Sequence, residues 1–115
     1  MLNRGWNYQH VVMQAAAVAT GDGTAVETAN VDDGSHTTLT MQITGITTAT
    51  ITFEGTIDGT NWVSVPATNI TSGASAATAT ANGVYRLTCT GLTKVRARVS
   101  AWTSGTIYVY GVATP

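Results

Sequence analysis

The side chains that could do chemistry are few in this sequence, and their spacing favours no known catalytic arrangement. His10 and His36 are the only histidines. Neither belongs to a Gly-x-Ser-x-Gly elbow or a Cys-His pair, so a nucleophilic hydrolase is not indicated. The lone Cys89 follows Tyr85 and Leu87 on one side of a predicted strand, which favours a buried apolar thiol over a catalytic one. We predict that the protein is not an enzyme.

Two pairs of carboxylates raise the question of acid–base or metal chemistry. Glu54 with Asp58, and Glu27 with Asp32, would each need a fixed separation to hydrolyse a glycoside. The stretches 32–36 and 58–61 also offer oxygen ligands, but they lack the alternate acids and terminal Glu of an EF-hand loop. Turn chemistry explains both stretches, because Gly supplies a positive φ and Asp and Asn tolerate it. We predict no metal and no cofactor.

Aromatic and arginine side chains are the stronger candidates for binding, because both types are enriched in the cores of protein interfaces. The candidate interface residues are Trp6, Tyr8, Arg86, Arg96, Arg98, Trp102, Tyr108 and Tyr110. A basic aromatic platform for nucleic acid is disfavoured by a net charge of −1, as is an anionic membrane surface, so neither partner is predicted. In the alternative, Trp62 and Trp102 stack against sugar rings, with Asp58, Asn61 or Asn82 as hydrogen-bonding partners.

Charge is segregated along the chain. All six acids precede residue 60, and four of the five bases follow residue 80. In one interpretation, acidic and basic strands pair within a single sheet, where opposite charges across strands are favourable. In the other, two patches of opposite sign meet between subunits and fix their orientation.

Composition predicts the framework that must position these residues. The chain has 115 residues, of which 43% are hydrophobic and only 10% are charged, enough for one domain with one core. About a fifth of the residues are threonine, which is β-branched and polar and suits the solvent face of a strand. Frequent turn signals favour a sandwich or barrel. We predict an all-β sandwich or barrel of about eight antiparallel strands over residues 10–115, with an extended N-terminal arm over residues 1–9.

Apolar and polar residues alternate in several segments that we interpret as strands. Residues 36–43 and 49–54 alternate cleanly, and Gly45 breaks the pattern between them. Near the end of the chain, residues 94–102 and 106–113 are predicted to form a closing hairpin around a Thr-Ser-Gly turn.

Two further segments have specific signals. Asp-Gly-Thr-Asn at 58–61 predicts a hairpin turn. The apolar run at 11–19 has a faint likeness to a signal peptide, but we interpret it as a first strand that places four side chains on one side: Val11, Met13, Ala15 and Ala17. The preceding arm carries Trp6 and Tyr8, and we expect these aromatics to dock on a neighbouring subunit or partner.

Three segments, 53–62, 83–85 and 95–99, resemble small jelly-roll modules of tailed-phage virions. In that class a strand and an Asp-Gly-Thr-Asn-Trp hairpin lead to a Lys-Val-Arg-x-Arg-Val strand and a Thr-Ser-Gly turn. The likeness covers about residues 47–112. It implies a jelly roll and a place in the virion, assembled in the host cytoplasm, and it brings no catalytic residue.

Among virion modules, a capsid decoration (cement) protein is the role we favour. Such a protein would stabilise the assembled head by clamping neighbouring subunits of the major capsid protein, or would bind another virion protein. By analogy with that class we expect a homo-oligomer, with a trimer preferred. The alternative is a carbohydrate- or receptor-binding module of a phage fibre or tail.

Overall fold

The computed structural model of the protein describes residues 8–30 and 34–115. These residues contain eleven β-strands and no helix, so no helix of the described chain could span a membrane. The strands are β1 (Gln9–Ala17), β2 (Val26–Glu27), β3 (Ala29–Asn30), β4 (Gly34–Ser35), β5 (Thr38–Thr56), β6 (Val63–Ser64), β7 (Ala67–Asn69), β8 (Ser75–Ala76), β9 (Thr78–Ala79), β10 (Gly83–Thr88) and β11 (Lys94–Thr114).

Every strand pairing in the described chain is antiparallel. The main sheet has the order β1-β11-β5-β10-β7-β8, with β2 added to β11 and with β6 and β9 added to β5, while β3 and β4 form a separate two-stranded ribbon. The predicted all-β antiparallel fold is confirmed. The jelly-roll connection implied by the resemblance is not confirmed by this strand order and stays a prediction.

Two long strands, β5 and β11, pair with each other over most of their length and carry the architecture. Residues 38–43 of β5 pair with β10, whereas residues 51–55 pair with β9 and β6. Similarly, residues 107–113 of β11 pair with β1, whereas residues 94–95 pair with β2. The two halves of each long strand therefore have different neighbours and belong to different layers.

The long strands bend where glycines permit it. Gly45 has a φ of 84° and Gly105 a φ of 118°, in the left-handed region that favours glycine. The register between β5 and β11 is irregular here. Beyond the bend the layers face each other, since Phe53 of one layer lies 5.6 Å, centroid to centroid, from the ring of Tyr85 in the other. The fold is a β-sandwich whose two layers share two strands.

The predicted closing hairpin is wrong. Residues 94–102 and 106–113 belong to one continuous strand, because the chain bends at Gly105 but goes on pairing with the same partner, β5. For the same reason Gly45 does not end a strand: the segments on either side of it are both parts of β5.

Apolar side chains from both halves of the long strands meet in one core. In β5 the buried apolar residues are Leu39, Met41, Ile43, Ala49, Ile51 and Phe53, and in β11 they are Val95, Ala97, Val99, Ile107, Val109 and Ala113. The predicted alternation is thus confirmed on both sides of each bend. Cys89 is also buried, as predicted, and its Sγ lies 3.4 Å from the carbonyl oxygen of His36.

The first strand is confirmed, but its predicted facing is wrong at one position. The register of β1 shifts between Val12 and Gln14 and again between Gln14 and Ala17, where Ala16 has a φ of 52°, so the strand bulges in this region. As a result Ala15 is exposed and Gln14 is buried. The amide of Gln14 donates to the carbonyl oxygen of Ala97 at 2.8 Å, which satisfies the polar group inside the sandwich.

Candidate functional site

The predicted interface residues do not form one surface. Arg96 and Arg98 lie on the first half of β11, in one layer, whereas Arg86, Tyr108 and Tyr110 lie on β10 and the second half of β11, in the other layer. Trp6 lies outside the described residues, as do Asp32 and Asp33, so expectations for those positions and for the arm at 1–9 stay predictions.

The first layer carries a network of four charged side chains, which we call the charged face. Glu54 lies opposite Arg96 in the β5–β11 register, and its carboxylate accepts from Arg96 Nε at 2.8 Å and from Arg98 Nη1 at 3.4 Å. Asp22 contacts the same two guanidinium groups at 3.4 and 3.6 Å. Pairing of opposite charges across strands of one sheet is thus confirmed for Glu54 with Arg96 and Arg98, whereas Asp22 reaches the arginines from a loop.

Sequence reasoning missed Asp22 because its place depends on a distant contact. Gly21 exchanges two backbone hydrogen bonds with Val99, of 3.0 and 2.9 Å, and this isolated bridge brings the next residue beside the arginines. The segregation of acids and bases along the chain indicates that opposite charges pair, but it does not predict which residues pair with each other.

Trp62, a candidate for stacking on a sugar, lies at the edge of the charged face. The guanidinium carbon of Arg96 is 4.0 Å from the centroid of its ring, a cation–π contact. The indole is half-buried. One face of the ring is already covered, and the contact anchors the hairpin that precedes β6.

Asp58 organises the turn of that hairpin. Its Oδ1 accepts from the backbone N–H groups of Thr60 and Asn61 at 2.8 and 2.7 Å, and from the Thr56 hydroxyl at 3.0 Å. These hydrogen bonds, first those from Asn61 and Thr60, hold the pKa of Asp58 well below its ordinary value because they favour the ionised carboxylate. The pairing of Gly55 with Val63 confirms the predicted hairpin. The carboxylate of Asp58 therefore stabilises the turn of this hairpin.

The outer surface of the other layer is different, and we call it the aromatic face. It comprises outward side chains of β1, β10 and the paired halves of β5 and β11: His10, Val12, Thr40, Gln42, Arg86, Tyr108, Tyr110 and Val112. Tyr8, which directly precedes β1, is 58% exposed. Tyr110 lies in register between Val12 and Gln42, and its ring stacks on that of Tyr108 at 6.0 Å with an interplanar angle of 16°. Val12 and Tyr110 are 48% and 44% exposed.

Trp102 belongs to neither face. Alternation predicts it on the polar side of its strand, but a register shift between Val99 and Ala101 places Trp102 opposite the buried Ala49 instead. The indole is half-buried against the core. Its Nε1 donates to the carbonyl oxygen of Gly105 at 3.0 Å, which fixes the orientation of the ring at the bend.

The candidate catalytic groups are not gathered together. Glu54 is engaged in the charged face, and burial raises the pKa of the Cys89 thiol, which opposes formation of a reactive thiolate. His36 is buried and His10 is exposed. Within residues 8–30 and 34–115, no cluster of three or more His, Cys, Asp or Glu side chains could hold a metal ion.

A family model described as XepA matches residues 7–113, nearly the whole sandwich. The chain belongs to the XepA family. The solved structure of the PBSX exported protein XepA matches with a TM-score of 0.83 at 15% identity, over 92% of this chain and 37% of that one. The structure of the SPBc2 prophage-derived protein YomS matches with a TM-score of 0.79 at 21% identity, over 92% of this chain and 91% of that one.

This member of the XepA family therefore spans about 37% of the length of XepA, but nearly all of YomS. At these identities the two structures show that the fold is shared. A comparison with curated protein sequences gave no match.

Proposed function

We propose that this XepA-family protein is a phage structural protein that acts by binding, and that the aromatic face is its binding surface. Two kinds of observation support the proposal. The two solved structures that share the fold are described as a PBSX exported protein and an SPBc2 prophage-derived protein, which supports a phage origin. The aromatic face is the part of the described surface where exposed tyrosine, valine and arginine side chains lie together.

A stacked pair of tyrosines, of which Tyr110 is exposed and Tyr108 half-buried, is the observation that carries the proposal. Tyr108 and Tyr110 stack on each other beside Val12, on a sheet surface that also offers the amide of Gln42. Tyrosine supplies a large contact area with a polar tip and loses little conformational freedom, which is why it is enriched in interface cores. Arg86 is exposed on the same surface and could anchor a partner's carboxylate.

The charged face is less suited to recruiting a partner. Its arginines already contact Glu54 and Asp22, so a partner's acids would have to compete with existing ion pairs. Arg96 and Arg98 are therefore better explained as supports for the sandwich, whereas Tyr8, Arg86, Tyr108 and Tyr110 remain the interface residues of the proposal.

In its finer form, the proposal is capsid decoration. The protein would bind assembled shells of the major capsid protein and not the separate subunits, which shifts the equilibrium towards the intact head by mass action. A homo-oligomer would bind the shell through several copies at once and so gain avidity, and a trimer is preferred by analogy with other capsid decoration proteins. The proposed location is the virion, and the proposal includes no catalytic step, cofactor, nucleic acid or membrane.

The description of XepA as an exported protein favours a second candidate. In that case the protein would act outside the producing cell and would not be retained in particles. The same surface would then face a cellular or extracellular partner.

Fractionation separates the two candidates. Phage particles purified from an infected or induced culture are probed by immunoblot for the protein, alongside the particle-free medium. Decoration predicts that the protein co-purifies with heads at a fixed ratio to the major capsid protein. A protein found only in the particle-free medium would favour the exported role and refute decoration.

A binding assay tests the surface itself. Purified protein is titrated onto expanded heads that lack it, and its oligomeric state is measured by native mass spectrometry. Tyr110→Ser should weaken saturable binding by roughly 30-fold, the factor for a hot-spot loss of about 2 kcal/mol. The matched control is Ile57→Ser, because Ile57 is 70% exposed but lies away from the aromatic face. Equal binding of both variants would refute the role of this face, and a monomer that ignores heads would refute the proposal.

A further inference from the structure

A groove at the bend of the sandwich lies outside the aromatic face and is lined by a distinctive set of side chains. Its cavity measures about 330 Å³ and lies where β5 and β11 pass between the layers. Its principal lining side chains are those of Trp102 and five threonines: Thr47, Thr48, Thr50, Thr80 and Thr103. The two other lining residues are alanines.

The chemistry of the lining points to a class of ligand. We propose that this groove binds a neutral pyranose ring of a carbohydrate. A sugar ring offers an apolar C–H face and a rim of hydroxyls, and the groove offers an indole and several hydroxyls, each able to donate and accept hydrogen bonds. None of the lining residues carries a charge, so neither an anionic nor a cationic ligand finds a counter-charge there.

The local backbone presents these side chains in a fixed arrangement. Two register shifts flank Trp102, and bulges of this kind re-aim side chains towards binding sites. The indole is held by its hydrogen bond to Gly105, so little conformational freedom remains to be lost on binding. Thr48 and Thr80 approach from different segments and are exposed, which leaves their hydroxyls accessible to a ligand.

The volume of the groove suits a single sugar ring or a short saccharide. Ligand sites in proteins commonly measure about 300–1,000 Å³, and this groove lies near the lower limit. An open groove with one aromatic ring favours weak recognition, with a dissociation constant on the order of 1 mM for a monosaccharide.

Trp62 is the weaker of the two stacking candidates, since Arg96 covers one face of its ring. Sugar binding is therefore proposed for the Trp102 groove alone, and not for the hairpin at 58–61. It does not depend on the proposed binding to heads.

The test uses methyl pyranosides of glucose, galactose, mannose and N-acetylglucosamine, observed by saturation-transfer NMR and titration calorimetry. At least one should bind with one-to-one stoichiometry. Thr48→Val and Thr80→Val should each weaken that binding by about two- to tenfold, as expected for the loss of one neutral hydrogen bond. Thr78→Val is the matched control, because Thr78 is also exposed, lies on the neighbouring strand β9 and does not line the groove.

Trp102→Phe tests the stacking ring itself while retaining an aromatic side chain against the core, and it too should weaken binding. If none of the glycosides binds at a concentration of about ten times the expected dissociation constant, the groove is not a sugar site. The proposal is also overturned if both threonine variants bind as well as the Thr78→Val control, or if glucose 6-phosphate binds more tightly than neutral glucoside, since the lining holds no cation.

Discussion

The bend at Gly45 can be tested by adding a single methyl group. A Cβ built on Gly45 would overlap the carbonyl oxygen of Thr106 in the partner strand, and the backbone there has a φ of 84°. Gly59 provides a matched control, because its φ is 82° and a Cβ built there meets no atom within 4 Å. Gly45→Ala and Gly59→Ala therefore share the conformational strain and differ in the steric clash.

The expected free-energy changes follow from this geometry. Placing alanine in the left-handed region costs about 1–2 kcal/mol, and the smaller entropy of the unfolded chain offsets about 0.4–1 kcal/mol. Gly59→Ala should thus lower the free energy of unfolding by about 1 kcal/mol. For Gly45→Ala the backbone of β11 must also move, and overpacking of this kind adds about 1–3 kcal/mol, for a total of about 2–4 kcal/mol.

Thermal and urea unfolding, followed by circular dichroism, measure the difference. At about 4 °C per kcal/mol for a domain of this size, Gly45→Ala should melt about 8–16 °C below the native protein and Gly59→Ala only about 4 °C below it. If the two variants melted within a few degrees of each other, the close approach of β5 and β11 at the bend would be wrong.

Four further experiments, on Glu54, Asp22, Asp58 and Cys89, have defined outcomes. Glu54→Gln should lower the free energy of unfolding in urea by about 1–3 kcal/mol, because charge-assisted hydrogen bonds from Arg96 and Arg98 are lost. Asp22→Asn should cost less than about 1 kcal/mol because that side chain is 59% exposed, and equal losses would contradict the network. The carboxyl of Asp58 should titrate by NMR below its ordinary pKa of 3.8, and a value at or above 3.8 would contradict the turn. Because the pKa is depressed in the fold, the stabilisation by Asp58 is present above the unfolded pKa and is lost as the pH falls through the folded pKa; Asp58→Asn should remove that acid dependence. Cys89 should resist an aromatic disulfide reagent at neutral pH and react fully in denaturant, whereas rapid labelling of the native protein would contradict its burial.

Local pattern was sufficient to predict which side chains enter the core. Alternation has a period of two and depends only on neighbours along the strand, so the inward positions Leu39, Ile51, Val95 and Val109 follow from the sequence alone. The turn at Asp58 was predictable for the same reason, because its hydrogen bonds close within four residues.

The path of the long strands was not predictable from local pattern. A glycine between two alternating segments is typical of a turn between two strands, but the same sequence pattern also occurs at a bend inside one strand. The outcome at Gly105 depends on the residues beyond it, which continue to pair with β5. The same distant pairing separates Arg96 from Arg86, although both were assigned to one interface, and the bulge after Val99 turns Trp102 towards the core.

The two proposed binding surfaces lie on different stretches of the same strands, which makes them separable by mutation. The aromatic face uses Tyr108 and Tyr110, and the groove uses Trp102 and Thr48, with no lining residue in common. If each surface has its own ligand, Tyr110→Ser should weaken binding to heads and leave the affinity for the glycoside unchanged, and Thr48→Val should do the reverse. Loss of both activities in either variant would mean that the bend couples the surfaces, or that a single site serves both ligands. Full retention of head binding in Tyr110→Ser, with the glycoside response intact, would leave the groove as the functional surface of the sandwich and remove the aromatic face from the account.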